Sequence, residues 1–328
     1  MAGQTMLAAL YRRTGPAAEV LEIAEIARPE PGPGEVRVRV AVSGLNPTDV
    51  KNRAGIMTWP IDGFQVPHHD GAGTIDAIGP GGDMARLGER VWLTMAAHGN
   101  RWGTAAQWCV VPAFKARRLP AGSGDLLGST LGAPAVTAAH CLITDGSVRG
   151  HDVLVHGGAG AVGRCGIELG RWFGARVVTT VSSEAKAEVA RAAGADLVVD
   201  YRRDDVVAAI RAFSPGIHRV LEVSMAANAR FDAEVCGSGA VVVVFATDGG
   251  EAVMPVRPAL FKSLTIRFIL LYNFGREELE RAARAVEQAL DDRVLTLPPV
   301  TRLPLTDIHC AHELQESGPF GRVLVDIP

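Results

Sequence analysis

From Val153 to Phe245 the chain alternates short apolar runs with helical patterns. Val153–His156 leads into a helical stretch ending at Phe173, and Val177–Val181 into a helix from about Ser183 to Ala193. Leu197–Asp200 precedes a polar helix around Asp204–Phe213; Val220–Val223, a further helix and Val241–Phe245 complete the series. Each run is apolar without alternation, as strands are when helices cover both faces. Repeated strand–helix units predict an α/β protein with a doubly wound parallel sheet.

The first third has another period. In "EVRVRVAVSGLN", Val36, Val38, Val40 and Val42 alternate with polar or small residues, as in a half-buried strand. Pro and Gly punctuate the chain from Pro29 to Gly88, which predicts many short strands and turns. The tail returns to this style in "LPPVTRLPL" and "GRVLVDI". Before the tail, Leu279, Ala283, Val286 and Leu290 mark one face of an amphipathic helix, whose plain role is core packing. The expected organisation is a discontinuous β-rich domain, residues 1–128 and 273–328, with a sheet domain, residues 129–272, inserted into it.

Size and composition narrow the classes. At 328 residues the chain exceeds one ordinary core, so two domains are expected. Apolar residues at 48% and charged residues at 21% are those of a globular protein. A net charge of −3, with basic residues grouped only as pairs such as Arg117-Arg118, argues against a nucleic-acid partner. The N-terminus reaches Arg12 and Arg13 after a brief apolar run and does not read as a signal peptide. No apolar stretch approaches a membrane span. Five dispersed cysteines without a CxxC pattern suggest reduced thiols in a cytoplasmic protein, each a small hydrophobe.

The chemistry starts at "VLVHGGAGAVG". Gly158, Gly160 and Gly163 form a GxGxxG pattern directly after a strand and opening a helix, the setting in which the pattern binds a dinucleotide. Gly158 would allow the turn, Gly160 the approach of a pyrophosphate, and Gly163 the packing of helix on strand. The helix start, with Ala161 and Val162, would offer free N–H groups to the phosphates. An NAD site places a carboxylate at the end of the next strand for the ribose hydroxyls. That place falls on Val181; Ser182 and Ser183 follow, and Lys186 comes one helical turn later. Two hydroxyls and an ammonium would receive a 2′-phosphate that a carboxylate would repel, so the expected cofactor is NADPH. Glu184 is expected to face solvent.

The sequence resembles the quinone oxidoreductase (zeta-crystallin-like) branch of the medium-chain dehydrogenase/reductase superfamily. The resemblance spans nearly the whole chain, through "PGPGEVRVRVAVSGLNPTDVKNRAG", "HHDGAGTIDAIG", "LGERVW", "LGAPAVTAAHCL", the glycine loop, "VSSEAKAEVARAAGADLVVDY" and "GRVLVDIP". It implies a GroES-like domain with an inserted Rossmann domain. It implies Tyr201 beside Ser182 and Lys186 at the 2′-phosphate, Asn46 and Thr137 near the nicotinamide, and Phe245-Ala246 and Phe268–Leu270 along the cofactor. It also implies a homodimer, for which "SLTIRFILLY" reads as an apolar edge strand open to pairing.

Zinc relatives share this fold, and a catalytic zinc needs three protein ligands. The resemblance sets Asn46, His69 and Gly132 where those relatives carry Cys, His and Cys, so a zinc-free chemistry is expected. Without a Lewis acid, the acceptor must delocalise charge itself, which favours quinones and conjugated carbonyls. Asn46, Thr48 and Lys51 are the candidate catalytic donors; an ionised Asp49 would only orient its neighbours. His68 and His69 are expected as loop or interface residues. "MAAHGNRWGTAAQW" is expected to be a loop in which His98, Asn100, Arg101 and Trp102, with Trp59 or Trp92, either line a site or pack. The expected activity is NADPH-dependent reduction of a small quinone; an enone or enoyl double-bond reductase, and an NADPH-binding structural protein with little turnover, remain open.

Overall fold

The computed structural model describes residues 4–57, 59–247 and 249–328. The front of the chain supplies β1 (Thr5–Leu10), β2 (Glu22–Ala27), β3 (Glu35–Gly44), β4 (Asp70–Ile78), β5 (Arg90–Leu93), β6 (Trp108–Pro112) and β7 (Ala116–Arg118). The middle supplies β8 (Asp152–His156), β9 (Arg176–Val181), β10 (Leu197–Asp200), β11 (Ile217–Glu222), β12 (Cys236–Val244) and β13 (Thr265–Phe268). The tail adds β14 (Val300–Pro304) and β15 (Arg322–Asp326).

Two compact units result: Met1–Ala133 with Leu297–Pro328, and Pro134–Thr296. The return to the first unit comes at residue 297, later than the 273 suggested by the sequence. The amphipathic helix Arg276–Asp291 and the residues after it pack with the inserted unit: Trp172 Nε1 donates to Asp292 Oδ2 at 2.9 Å, and Arg164 Nη1 to the Thr296 carbonyl at 2.7 Å. Composition marks the change of style, but only these contacts decide on which side the helix belongs.

In the inserted unit the sheet runs β10-β9-β8-β11-β12-β13, all parallel. The order reverses direction between β8 and β11, the switch point beside which such sheets bind ligands. β8 is buried throughout, which accounts for its unbroken apolar run. Arg219 on β11 is fully buried and caps the end of the helix Gly132–Ile143, donating to the carbonyls of Cys141 and Leu142 at 2.7 and 3.2 Å.

In the first unit β14-β15-β3-β4-β5-β7 form one sheet, with β6 on β3 and a separate β1-β2 pair. Val36, Val38 and Val40 share one core, as the alternation predicts; Val42 is buried as well but lies past a register shift and outside that cluster. Arg37 between them is also buried, its charge met by Asp76 at 2.8 Å and Glu30 at 2.6 Å. Of the five cysteines four are buried as expected; Cys310 is exposed on the helix Ile308–Glu316.

Candidate functional site

The dinucleotide side begins where β8 ends. Gly157, not Gly158, takes the left-handed turn, at φ 68°. Gly158 is needed for closeness instead: a Cβ there would sit 2.1 Å from Thr179 Oγ1 on β9. A Cβ on Gly163 would lie 2.2 Å from the Gly157 carbonyl, so the helix Ala161–Trp172 can start hard against the strand end only without a side chain. Gly160 is its N-cap, and the N–H groups that follow are those an anion would meet.

At the end of β9, Lys186 Nζ donates to Ser182 Oγ at 2.9 Å. Ser183 caps the helix Glu184–Ala192, accepting from the Lys186 N–H at 3.4 Å. Glu184 is exposed and turned to Arg191 at 2.6 Å, away from the serines. Tyr201 comes to the same corner, its N–H bonded to the Val181 carbonyl at 3.1 Å and its ring 54% exposed. Tyr201, Thr180, Gly157 and Ser224 line a cavity of about 660 Å³. Phe245, Ala246, Phe268 and Leu270 line another, of about 530 Å³, on the far side of the switch point. Thr137 is buried within the helix Gly132–Ile143.

The first unit holds a second concentration of polar groups. Asn46 caps the helix Pro47–Arg53, whose third residue, Asp49, accepts from the Asn46 N–H at 2.7 Å. Arg322 of β15 donates to Asn46 Oδ1 at 2.8 Å and lies 3.3 Å from Asp70 Oδ2, with all three residues buried. Burial raises the Asp70 carboxyl to about 6, against the pull of Arg322 and the Ala133 N–H. Burial likewise raises the Asp49 carboxyl well above the usual range, against the hydrogen bond from the Asn46 N–H.

His69 Nε2 lies 3.7 Å from Asp49 Oδ1, and burial holds its imidazole neutral. Both residues line a cavity of about 390 Å³ together with Tyr11, Trp59, His68 and His98. Trp59 meets His98 and His69 edge-on, with ring centres 4.8 and 5.5 Å apart. His68 and His69 are loop residues, as expected, and fully buried ones that line this cavity. Trp92 is core, Trp102 packs against Phe64, and Asn100 and Arg101 lie at the cavity. Thr48 and Lys51 are half-buried and outside the lining, while their neighbours Asp49 and Asn52 are in it.

A hydrogen-bond chain holds the His68–His69 turn. Thr104 Oγ1 donates to the Asp70 carbonyl, so Ser43 Oγ must donate to Thr104 at 2.7 Å and accept from His68 Nδ1 at 2.7 Å. His68 Nε2 is then an acceptor for His312 Nε2, 3.1 Å away. The chain locks His68 at φ 78°, a costly value for a residue with a side chain. No sequence pattern pointed to it, because its members are 244 residues apart.

Of the three positions set against the ligands of zinc relatives, Asn46 and Gly132 carry no thiolate. Asn46 is engaged by Arg322. A Cβ on Gly132 would fall 2.2 Å from Asp70 Oδ1 and 2.5 Å from the Leu93 carbonyl, leaving no room for a ligand side chain.

Comparison with known proteins agrees with this architecture. Residues 32–121 match the alcohol dehydrogenase GroES-like domain, and residues 161–288 match the family described as zinc-binding dehydrogenase. Human quinone oxidoreductase is 26% identical over 333 residues, covering 98% of each chain. A 2-haloacrylate reductase of Burkholderia sp is 32% identical over 216 residues, 64% of this chain and 63% of that one. A mycobacterial structure complexed with NADPH superposes with a TM-score of 0.83 at 28% identity, over 98% of this chain and 99% of the other. On the two domain matches and these full-length likenesses, the chain belongs to the medium-chain dehydrogenase/reductase superfamily, in its quinone oxidoreductase branch.

Proposed function

We propose that the chain is an NADPH-dependent, zinc-free reductase that passes hydride to quinones or related conjugated carbonyls. The observation that carries the cofactor choice is the end of β9, where Lys186 and Ser182 stand 2.9 Å apart and positions 181–183 hold no carboxylate. An ammonium beside hydroxyls suits a phosphate monoester, and Tyr201 completes the corner. The mycobacterial neighbour, solved with NADPH, supports the same choice. In this reading Gly158, Gly160, Ala161, Val162 and Gly163 receive the pyrophosphate. On the same unit, Phe245, Ala246, Phe268 and Leu270, which line the 530 Å³ cavity, are the candidates for the nicotinamide end.

Bound there, the dihydronicotinamide supplies a hydride. The cavity of Trp59 and His98 receives a flat ring between aromatic edges. Asp49, whose carboxyl burial raises well above its ordinary range, and His69 then stand at the wall as the candidate donors to the oxygen that gains charge. One well-placed donor is worth about 3–4 kcal/mol, roughly 10²–10³ in rate. Asp49 and His69 take over the part first given to Thr48 and Lys51, which are outside the lining.

The Burkholderia relative, a reductase of an activated double bond by its name, favours the second reading, enone reduction. A screen of NADPH consumption over quinones and enones, with product identification, tests both. Hydroquinone formation supports the first reading and a saturated carbonyl the second. No turnover with either, despite tight NADPH binding, would leave the structural-protein reading.

A further inference from the structure

Below the glycine loop lies a polar cluster that the proposed reaction does not use. His156 ends β8, Glu222 ends the adjacent β11, and Asp232 comes from the helix Met225–Val235. All three are buried, Glu222 and Asp232 with no exposed surface. His156 Nε2 is 2.9 Å from Asp232 Oδ1 and 3.3 Å from Glu222 Oε2. One ligand atom from each residue lies within 4.8 Å of the others, the arrangement of ligands around a single ion.

The surroundings orient the three groups inward. His156 Nδ1 lies 3.0 Å from Thr180 Oγ1, which leaves Nε2 toward the carboxylates. Glu222 Oε1 accepts from the Ser224 N–H and from Asn228 Nδ2, the latter at 3.1 Å, which turns Oε2 to the centre. Among the described residues no N–H or hydroxyl group donates to Glu222 Oε2 or Asp232 Oδ2, both fully buried, and the two carboxyl groups face each other. Two buried carboxylates facing one imidazole call for positive charge, since desolvated anions are costly unless paired. Metal-binding histidines characteristically engage their second nitrogen in this way, and ligating carboxylates are themselves held by hydrogen bonds.

We infer that His156, Glu222 and Asp232 form a binding site for one first-row divalent cation, separate from the position at which zinc relatives bind theirs. One nitrogen and two carboxylate oxygens suit Zn²⁺ or its neighbours better than a soft monovalent ion. The ion would join two central strands and a helix beside the dinucleotide loop. His156 and Asn228 also line the 660 Å³ cavity, which provides a way in.

The test uses the full chain, stripped with a chelator and titrated with Co²⁺, then with Zn²⁺. The expected result is one Co²⁺ per chain with visible ligand-field bands, displaced by Zn²⁺, and a Tm raised by several degrees. Asp232→Asn and Glu222→Gln keep the shape but lose charge, and should weaken binding by at least about 10–100-fold, the loss seen even for outer-shell partners. His69→Asn should leave it unchanged, since His69 lies outside the cluster. The inference is overturned if folded wild type shows no ligand-field bands and no Tm shift with either ion. It is equally overturned if Asp232→Asn and Glu222→Gln bind Co²⁺ as wild type does. In the first case the cluster would hold shared protons instead. The wild-type titration decides the matter even if a variant fails to fold.

Discussion

Arg322 donates to Asn46 across 2.8 Å, joining the last strand of the chain to the helix cap where zinc relatives carry a thiolate. A fixed guanidinium therefore already stands among the buried acceptors of this region. Arg322→Ala would leave Asp70 buried without its cation, and a broken buried pair typically costs about 3–5 kcal/mol. Urea unfolding should show that loss. Asn46→Cys, by contrast, should not create zinc-dependent turnover, because Gly132 has no room for a further ligand. Activity of Asp232→Asn, which lacks the proposed cation site, should survive chelation; activity lost with a chelator and restored by Zn²⁺ in that variant would contradict the zinc-free reading.

Lys186→Ala should weaken NADPH by roughly 10–100-fold, since a charge-assisted hydrogen bond contributes about 1.5–3 kcal/mol. NADH affinity should hardly change. Adding a carboxylate should move preference further toward NADH, and Ser182 is the place for it, because Val181 is only 2% exposed. Dissociation constants of both cofactors for wild type, Lys186→Ala and Lys186→Ala/Ser182→Asp check this. Equal losses for the two cofactors would place the discrimination elsewhere.

Trp59→Ala should raise KM for a naphthoquinone by about 10-fold, from an aromatic contact worth about 0.5–1.5 kcal/mol plus lost apolar area. The dissociation constant of NADPH should stay within about 2-fold, since Trp59 lines a different cavity from those of the dinucleotide residues. Steady-state kinetics with separate cofactor titrations distinguish the two. An unchanged KM would remove the cavity from the substrate's path.

His68 and His312 predict the acid limit of stability. Burial lowers His68 from 6.5 to about 3, and His312 also well below its ordinary value. Between those values the unfolded chain binds more protons, so the free energy of unfolding rises with pH. The contribution of this pair should thus be full above pH 6.5 and lost toward pH 3, a slope approaching two protons that Asp70, raised to about 6, partly offsets, so it is read as the difference between wild type and variant. His312→Gln, which keeps an N–H donor for His68, should lower the slope by about one proton. Unfolding titrations at several pH values read it directly.

Val256, Leu260 and Phe261 are 72–74% exposed beside the edge strand β13, whose Phe268 is 73% exposed. An open apolar edge pairs readily, so a homodimer through this face is the expected state in solution. Light scattering should give twice the chain mass at micromolar concentration. Phe261→Asp with Phe268→Asp should give the monomer. A wild-type monomer would count against the assembly.

Local patterns carry the parts of this protein whose physics is local. The glycines between β8 and its helix are legible because a turn, a close approach and a helix start all act within a few residues. The serines and Lys186 are legible because one helical turn brings them together. Val36, Val38 and Val40 of β3 declare their buried face by period, which the register shift before Val42 then breaks. Other features depend on which distant segments meet. Asn46 is 276 residues from Arg322, and His68 is 244 from His312. His156 meets Asp232 only after a sheet order that skips from β8 to β11. Nor can periodicity show that Asp49 and His69 are buried deeply enough to shift toward their neutral forms, because that shift is set by removal from water. The sequence alone determines where strands, turns and the dinucleotide loop lie; tertiary packing decides which polar groups lose solvent and which partners they then face.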